Sequence, residues 1–118
     1  MTAEPLPPDF FARDPLICAR DLIGCVLANG ACSGLVIETE AYHETGDPAS
    51  HLFTRPSTRE FARRHAPGTA YVYLNYGVHW LANVLCRDEA TGVTGIILFR
   101  ALEPLTGIDD MVLRRKTT

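Results

Sequence analysis

The stretch Val36-Ile37-Glu38-Thr39-Glu40-Ala41-Tyr42 sets two carboxylates and a tyrosine at alternate positions. In a strand, alternate side chains share a face. Alternation therefore predicts Val36, Glu38, Glu40 and Tyr42 on one side and Leu35, Ile37, Thr39 and Ala41 on the other. One carboxylate of such a pair can serve as a general base while its neighbour anchors the strand. Both interrupt an apolar run, where an unpaired carboxylate is costly to bury. Burial beside a like charge is also how enzymes tune a base. A polar sheet edge accounts for the same residues, and spacing alone leaves both readings open.

The aromatic residues form a second group: Tyr42, Tyr71, Tyr73, Tyr76 and Trp80, with His51 and His79 nearby in sequence. Core packing is the ordinary use of Tyr71 and Trp80. Tyr76 differs, because Tyr76-Gly77 falls at the tip of an expected hairpin. A ring there either stacks or intercalates, or docks on a neighbouring loop. A third group is basic: Arg55, Arg59, Arg63, Arg64 and His65, then Arg114, Arg115 and Lys116. Such clusters are commonly solvated faces, but one flanking an aromatic hairpin in an acidic chain also fits phosphate contacts. His43, Glu44, His51 and Glu40 match no familiar metal signature, and no phosphate-binding or nucleotide-binding glycine motif occurs. No metal or cofactor is expected.

The elements that must hold these residues can be read in order. Residues 1–12 form a proline-rich lead-in arm. Asp14-Pro15 starts a helix, the side chain as cap and proline where its missing N–H does no harm. Leu16, Ile17, Leu22 and Ile23 supply its expected buried stripe, and Gly24 closes it. A strand at 25–28 leads through an Asn29-Gly30 turn into the returning strand of Leu35 to Tyr42. Asp47-Pro48 offers a short-helix start. Ser57-Thr58-Arg59-Glu60 reads as a capping box opening a basic helix that Pro67-Gly68 ends. Strands at 69–75, 78–86 and 93–102 follow, the last rich in β-branched residues, and Thr106-Gly107-Ile108-Asp109 starts a final helix. The expectation is an α+β fold: a single domain over 1–118 with a mostly antiparallel curved sheet and short flanking helices.

Composition fits a folded domain of 118 residues, with 47% hydrophobic and 21% charged residues, and rules out wholesale disorder. The net charge of -3 gives no global sign of a nucleic-acid partner, so that partner must be argued locally. No apolar run approaches the ~20 residues of a membrane-spanning helix. The start MTAEPLPPDF lacks the features of a secretory signal. A cytoplasmic monomer is expected, nucleoid-associated if the source is bacterial. Cys18, Cys25, Cys32 and Cys86 form no CxxC pair and read as small apolar residues in a reducing compartment.

Several segments fall together in order: Ala19-Arg20-Asp21-Leu22-Ile23-Gly24, Val36 to Tyr42, Asp47-Pro48-Ala49-Ser50-His51, Pro67 to Gly77, and Leu98-Phe99-Arg100-Ala101-Leu102-Glu103-Pro104-Leu105. The chain from Ala12 onward resembles the methylpurine (3-methyladenine, alkyladenine) DNA glycosylases. The resemblance implies a monofunctional base-excision repair enzyme. It would flip alkylated or deaminated purines out of duplex DNA and hydrolyse the N-glycosidic bond. Position by position, it implies that Glu40 activates water and Arg100 helps hold it. Tyr42, His51 and Tyr73 would sandwich the flipped base, and Asn83 would crowd the guanine amino group. Tyr76 would wedge into the minor groove. Arg55 and Arg59 would contact phosphates, although the segment Leu52 to Thr58 matches the family's basic loop only loosely.

The chemistry agrees with the resemblance. Glycosidic cleavage generates an oxocarbenium-like sugar that a carboxylate stabilises. An alkylated purine is electron-poor and favours electron-rich tyrosine faces. Extrusion of a base costs a few kcal/mol, least for damaged ones. Members of this family usually continue beyond the Leu-Glu-Pro-Leu motif. A chain ending at Thr118 is therefore expected to expose apolar residues of Val93 to Leu98 and Met111 to Leu113, and to be marginally stable or self-associating. The alternative to an active glycosylase is a non-catalytic damaged-DNA-binding module or inactive fragment.

Overall fold

The computed structural model describes residues 6–29, 32–44, 55–75 and 79–106, with backbone alone for Asn29, residues 72–75 and residues 79–81. Expectations placed on His51, Asp47-Pro48, the Tyr76-Gly77 tip, Met111 to Leu113 and the final helix lie outside the described residues.

The first helix, α1 (Pro15–Leu22), starts as its sequence dictates. Asp14 Oδ1 accepts the Leu16 N–H at 2.9 Å, and Pro15 occupies the first turn. Asp14→Ala should cost about 1 kcal/mol, read as a lower denaturant midpoint at unchanged slope. The buried stripe differs from expectation. Pro15, Cys18, Ala19 and Leu22 face the core, whereas Leu16, Ile17 and Ile23 are exposed. The observed set has the i, i+3, i+4, i+7 spacing of one helical face. Gly95 selects that face: a Cβ there would lie 2.8 Å from Pro15 Cγ, so only a bare backbone lets the proline ring settle on the sheet. Gly24 then turns the chain with φ +89°, which glycine adopts without strain.

The lead-in arm is more structured than expected. A 3-10 turn spans Pro8–Phe11, and Phe10 and Phe11 pack against the α1 core. Arg13 fastens it, its Nε donating to Phe10 O at 2.7 Å, its guanidinium over the Phe10 ring and Nη1 on Asp21.

The second helix, α2 (Pro56–Arg64), corrects the capping-box reading. Arg55 is the N-cap, and its side chain, which has no acceptor, makes no capping bond; Pro56 opens the helix. Proline's fixed φ starts the helix one residue before Ser57, so Ser57 lies inside it and cannot cap. Glu60 instead pairs with Arg64 one turn on.

Five strands, β1 (Val26–Asn29), β2 (Cys32–His43), β3 (Ala70–Asn75), β4 (His79–Arg87) and β5 (Thr94–Thr106), form one antiparallel sheet in the order β1-β2-β5-β4-β3. With α1 and α2 this is the α+β class. Asn29 pairs with Cys32, so Asn29 belongs to β1 rather than to the turn expected at Asn29-Gly30. β5 outlasts its expected end at Leu102. From Phe99 onward β2 is its partner in the described sheet, β4 having parted after Asn83↔Leu98. A strand flanked on one side tolerates Pro104.

Each face of the sheet has its own core. Cys18, Ala19, Leu22, Val84, Cys86 and Ile97 form one under α1; Ala62, Leu85 and Ile96, with Tyr42, Phe61 and Tyr71, form the other under α2. The expectation of an uncovered Val93–Leu98 is thereby corrected: Ile96, Ile97 and Leu98 are buried and only Val93 is exposed. All four cysteines are free thiols; Cys18 and Cys86 are buried, and Cys25 and Cys32 half-buried. Burial and the neighbouring Cys18 thiol push the Cys86 thiol up, which keeps it protonated.

Candidate functional site

β2 and β5 are not in simple register. Pairing steps from Val36↔Leu102 to Glu38↔Ala101 to Thr39↔Phe99, passing over Ile37 on one strand and Arg100 on the other. Such irregularities bend a strand and re-aim side chains. The alternation expected from Val36 to Tyr42 therefore fails in the middle: Val36 is buried, whereas Ile37 and Glu38 are exposed. Of the two glutamates, Glu38 is exposed and Glu40 half-buried. Past the bulge regular pairing resumes with Glu40↔Leu98, Ala41↔Ile97 and Tyr42↔Ile96.

Glu40 is held through both carboxylate oxygens. The Tyr42 hydroxyl donates to Oε2, and the Arg100 guanidinium lies on Oε1 with Nε at 3.3 Å. The bulge makes this possible by setting Arg100, skipped in the register, beside Glu40. The Glu40 side chain is 38% exposed, so water reaches it. A carboxylate offers about four lone-pair positions; among the described residues two are engaged, which leaves room for a water molecule. Surface exposure of Arg100 makes the ion pair an orienting contact rather than a large source of stability.

The same face carries a row across four strands: Tyr71↔Asn83, Asn83↔Leu98 and Leu98↔Glu40. With neighbouring strands ~4.8 Å apart, the Asn83 and Glu40 backbones stand about 10 Å apart over a Leu98 floor. Asn83 is buried and its Nδ2 donates to Tyr71 O at 3.2 Å, which fixes the orientation of its amide. The structure thus brings together Glu40, Tyr42, Arg100 and Asn83. Tyr73 lies in β3 opposite Leu81, and its side chain is outside the description, as are His51 and Tyr76. Arg55, the exposed N-cap of α2, and Arg59, half-buried in its first turn, lie at the start of the helix that covers this face of the sheet.

Tyr71 reads as core and does pack against Ala62, Leu85 and Ile96, while also opening the row. One residue of this face escaped sequence reasoning. Thr58 reads as an interior position of a capping box, yet it is buried and its hydroxyl meets the Tyr71 hydroxyl at 2.9 Å. A hydroxyl among the arginines of a basic helix gives no sequence signal of a buried partner thirteen residues away. Among the described residues no group of three or more His, Cys, Asp or Glu side chains gathers as a metal site, and no helix is long and apolar enough to cross a membrane.

The family model described as methylpurine-DNA glycosylase matches residues 9–118. A protein of Agrobacterium fabrum named "Putative 3-methyladenine DNA glycosylase" is 47% identical over 112 residues, covering 95% of this chain and 55% of that protein. Proteins of the same name from Salinibacter ruber and Rubrobacter xylanophilus are 46% and 48% identical, over 95% and 80% of this chain and 60% and 50% of their own length. The chain spans about half the length of the curated relatives it matches.

Proposed function

The chain belongs to the methylpurine-DNA glycosylase family, and on that premise we propose that it excises alkylated purines from duplex DNA by hydrolysis at the site built around Glu40. The observation that carries this reading is the Glu40 carboxylate, gripped by Tyr42 and Arg100 on a sheet face that also bears Asn83.

Glu40 takes a proton from water as the water attacks C1′ of the extruded nucleotide. Its negative charge also stabilises the oxocarbenium-like sugar that develops as the base departs. Arg100 fixes one oxygen of the carboxylate and helps hold the water. Tyr42 acts twice, its ring stacking on the electron-poor base and its hydroxyl setting the rotamer of Glu40. Tyr73 and His51 complete the aromatic walls. An alkylated purine carries positive charge and leaves readily, so base selection rests on the ring faces and on Asn83 rather than on a strong general acid. Arg55 and Arg59 contact phosphates, and Tyr76 fills the space that the flipped nucleotide leaves.

Tyr42→Phe separates the two duties of Tyr42. The ring stays and the hydroxyl on Glu40 goes, so lesion binding should change less than threefold while single-turnover release slows by about tenfold. Asn83→Ser should raise guanine excision relative to hypoxanthine, because the shorter side chain leaves room for the exocyclic amino group. Equal guanine exclusion in the variant would remove that role from Asn83. Release of free base from a duplex carrying one alkylated purine tests the whole reading. Tight lesion binding without release would instead identify a non-catalytic damage-binding module.

A further inference from the structure

Resting on the reading of the Glu40 face as a purine-selecting site, we infer that Thr58 is a positioning residue that sets Tyr71, and through it the Asn83 amide, from the helix that bears Arg55 and Arg59.

Thr58 is fully buried within α2, a helix otherwise dominated by arginines and polar residues. A buried hydroxyl needs a partner, and that partner is the Tyr71 hydroxyl at 2.9 Å. A valine would fill the same space without that requirement, so the polar link itself is the distinctive feature. Tyr71 is restrained from three directions. The Phe61 ring lies against it at 4.6 Å, Thr58 anchors its hydroxyl, and its backbone carbonyl accepts the Asn83 amide. Its register position begins the row that passes through Asn83 and Leu98 to Glu40.

α2 is itself clamped to the sheet at its far end. The Arg87 guanidinium donates to Ala62 O and His65 O at the C-terminal end of the helix, and its Nε reaches Thr94 Oγ1. Those bonds satisfy orphan carbonyls and place positive charge at the negative end of the helix dipole. With that end fixed, Thr58 carries the link nearest the basic turn: it lies between Arg55 and Arg59 in sequence, and Arg59 N–H donates to Arg55 O at 3.2 Å. A phosphate held by this turn thus acts on the same short helix that orients Tyr71.

The test compares single-turnover excision of an alkylated purine and of an unmodified purine, each in the same duplex, for wild type, Thr58→Val, Thr58→Ser, Tyr71→Phe and the Thr58→Val/Tyr71→Phe double variant. The expected result is an approximately fivefold fall in the ratio of the two rates for Thr58→Val and for Tyr71→Phe, the factor that one ordinary hydrogen bond contributes. Thr58→Ser should restore the ratio, and the double variant should match the single ones, because both remove the same bond. An unchanged ratio in Thr58→Val, an unrescued Thr58→Ser or additive losses in the double variant would overturn the assignment. Tyr71→Phe removes the bond from the strand side, which keeps the test open if Thr58→Val folds poorly. Wild-type protein that releases no purine would sink the glycosylase reading and this assignment together. Release by wild type with a Thr58→Val ratio equal to it would sink this assignment alone.

Discussion

Glu40→Gln should lower single-turnover base release by at least ~1000-fold while changing affinity for lesion-containing duplex by less than about threefold. A positioned general base contributes roughly 100- to 10,000-fold, and the same substitution also removes the charge facing the developing oxocarbenium ion. A thousandfold loss corresponds to about 4 kcal/mol of transition-state stabilisation. Binding survives because glutamine keeps the shape and the contacts of the site. The glutamine oxygen can still accept from Arg100 Nε, and the Tyr42 hydroxyl can turn to accept from the new amide instead of donating. Glu38→Gln should leave release within a few-fold of wild type, since Glu38 is exposed in the irregular stretch opposite Ala101. Equal losses in the two variants, followed by calorimetry, would show that strand integrity rather than chemistry is being measured.

The largest expected loss of stability comes from a methyl group. Gly95→Ala would place Cβ 2.8 Å from Pro15 Cγ, 2.9 Å from Pro15 Cβ and 2.8 Å from Tyr42 O. None of these atoms is the free end of a flexible side chain. Either α1 lifts from the sheet or β2 and β5 part at Tyr42. Overpacking of this kind costs ~3 kcal/mol or more, which for a domain of this size lowers the thermal midpoint by roughly 12 °C or more. Because Tyr42 carries both the contact with the new methyl and the hydroxyl on Glu40, base release should fall with stability even below the melting range. A Gly95→Ala protein that melts within a few degrees of wild type would mean that α1 docks differently.

The features legible in the sequence are those decided locally. Asp14-Pro15 starts α1 wherever the rest of the chain goes, because the cap and the proline act on the first turn alone. The antiparallel partners of Tyr71 and Asn83 follow from a hairpin centred near Gly77, and Glu40 stands out as a carboxylate in an apolar strand. What escaped depends on other elements. The buried face of α1 is chosen by the bare backbone of Gly95, 80 residues after Pro15, rather than by its most hydrophobic residues. Ser57 loses its capping role because Pro56, immediately before it, already opens the helix. The bulge that sets Arg100 beside Glu40 exists only once β2 meets β5. Thr58 meets the Tyr71 hydroxyl only after α2 settles over Tyr71.

The most direct test of hydrolysis at the Glu40 site is to react the protein with a duplex carrying one alkylated purine, with and without borohydride, and to analyse both products by mass spectrometry. The expected products are an intact free alkylated base and an unbroken strand bearing an abasic sugar, with no protein–DNA adduct trapped by borohydride and neither product formed by Glu40→Gln. A trapped covalent adduct, a cleaved strand, or release that persists in Glu40→Gln would contradict hydrolysis at Glu40.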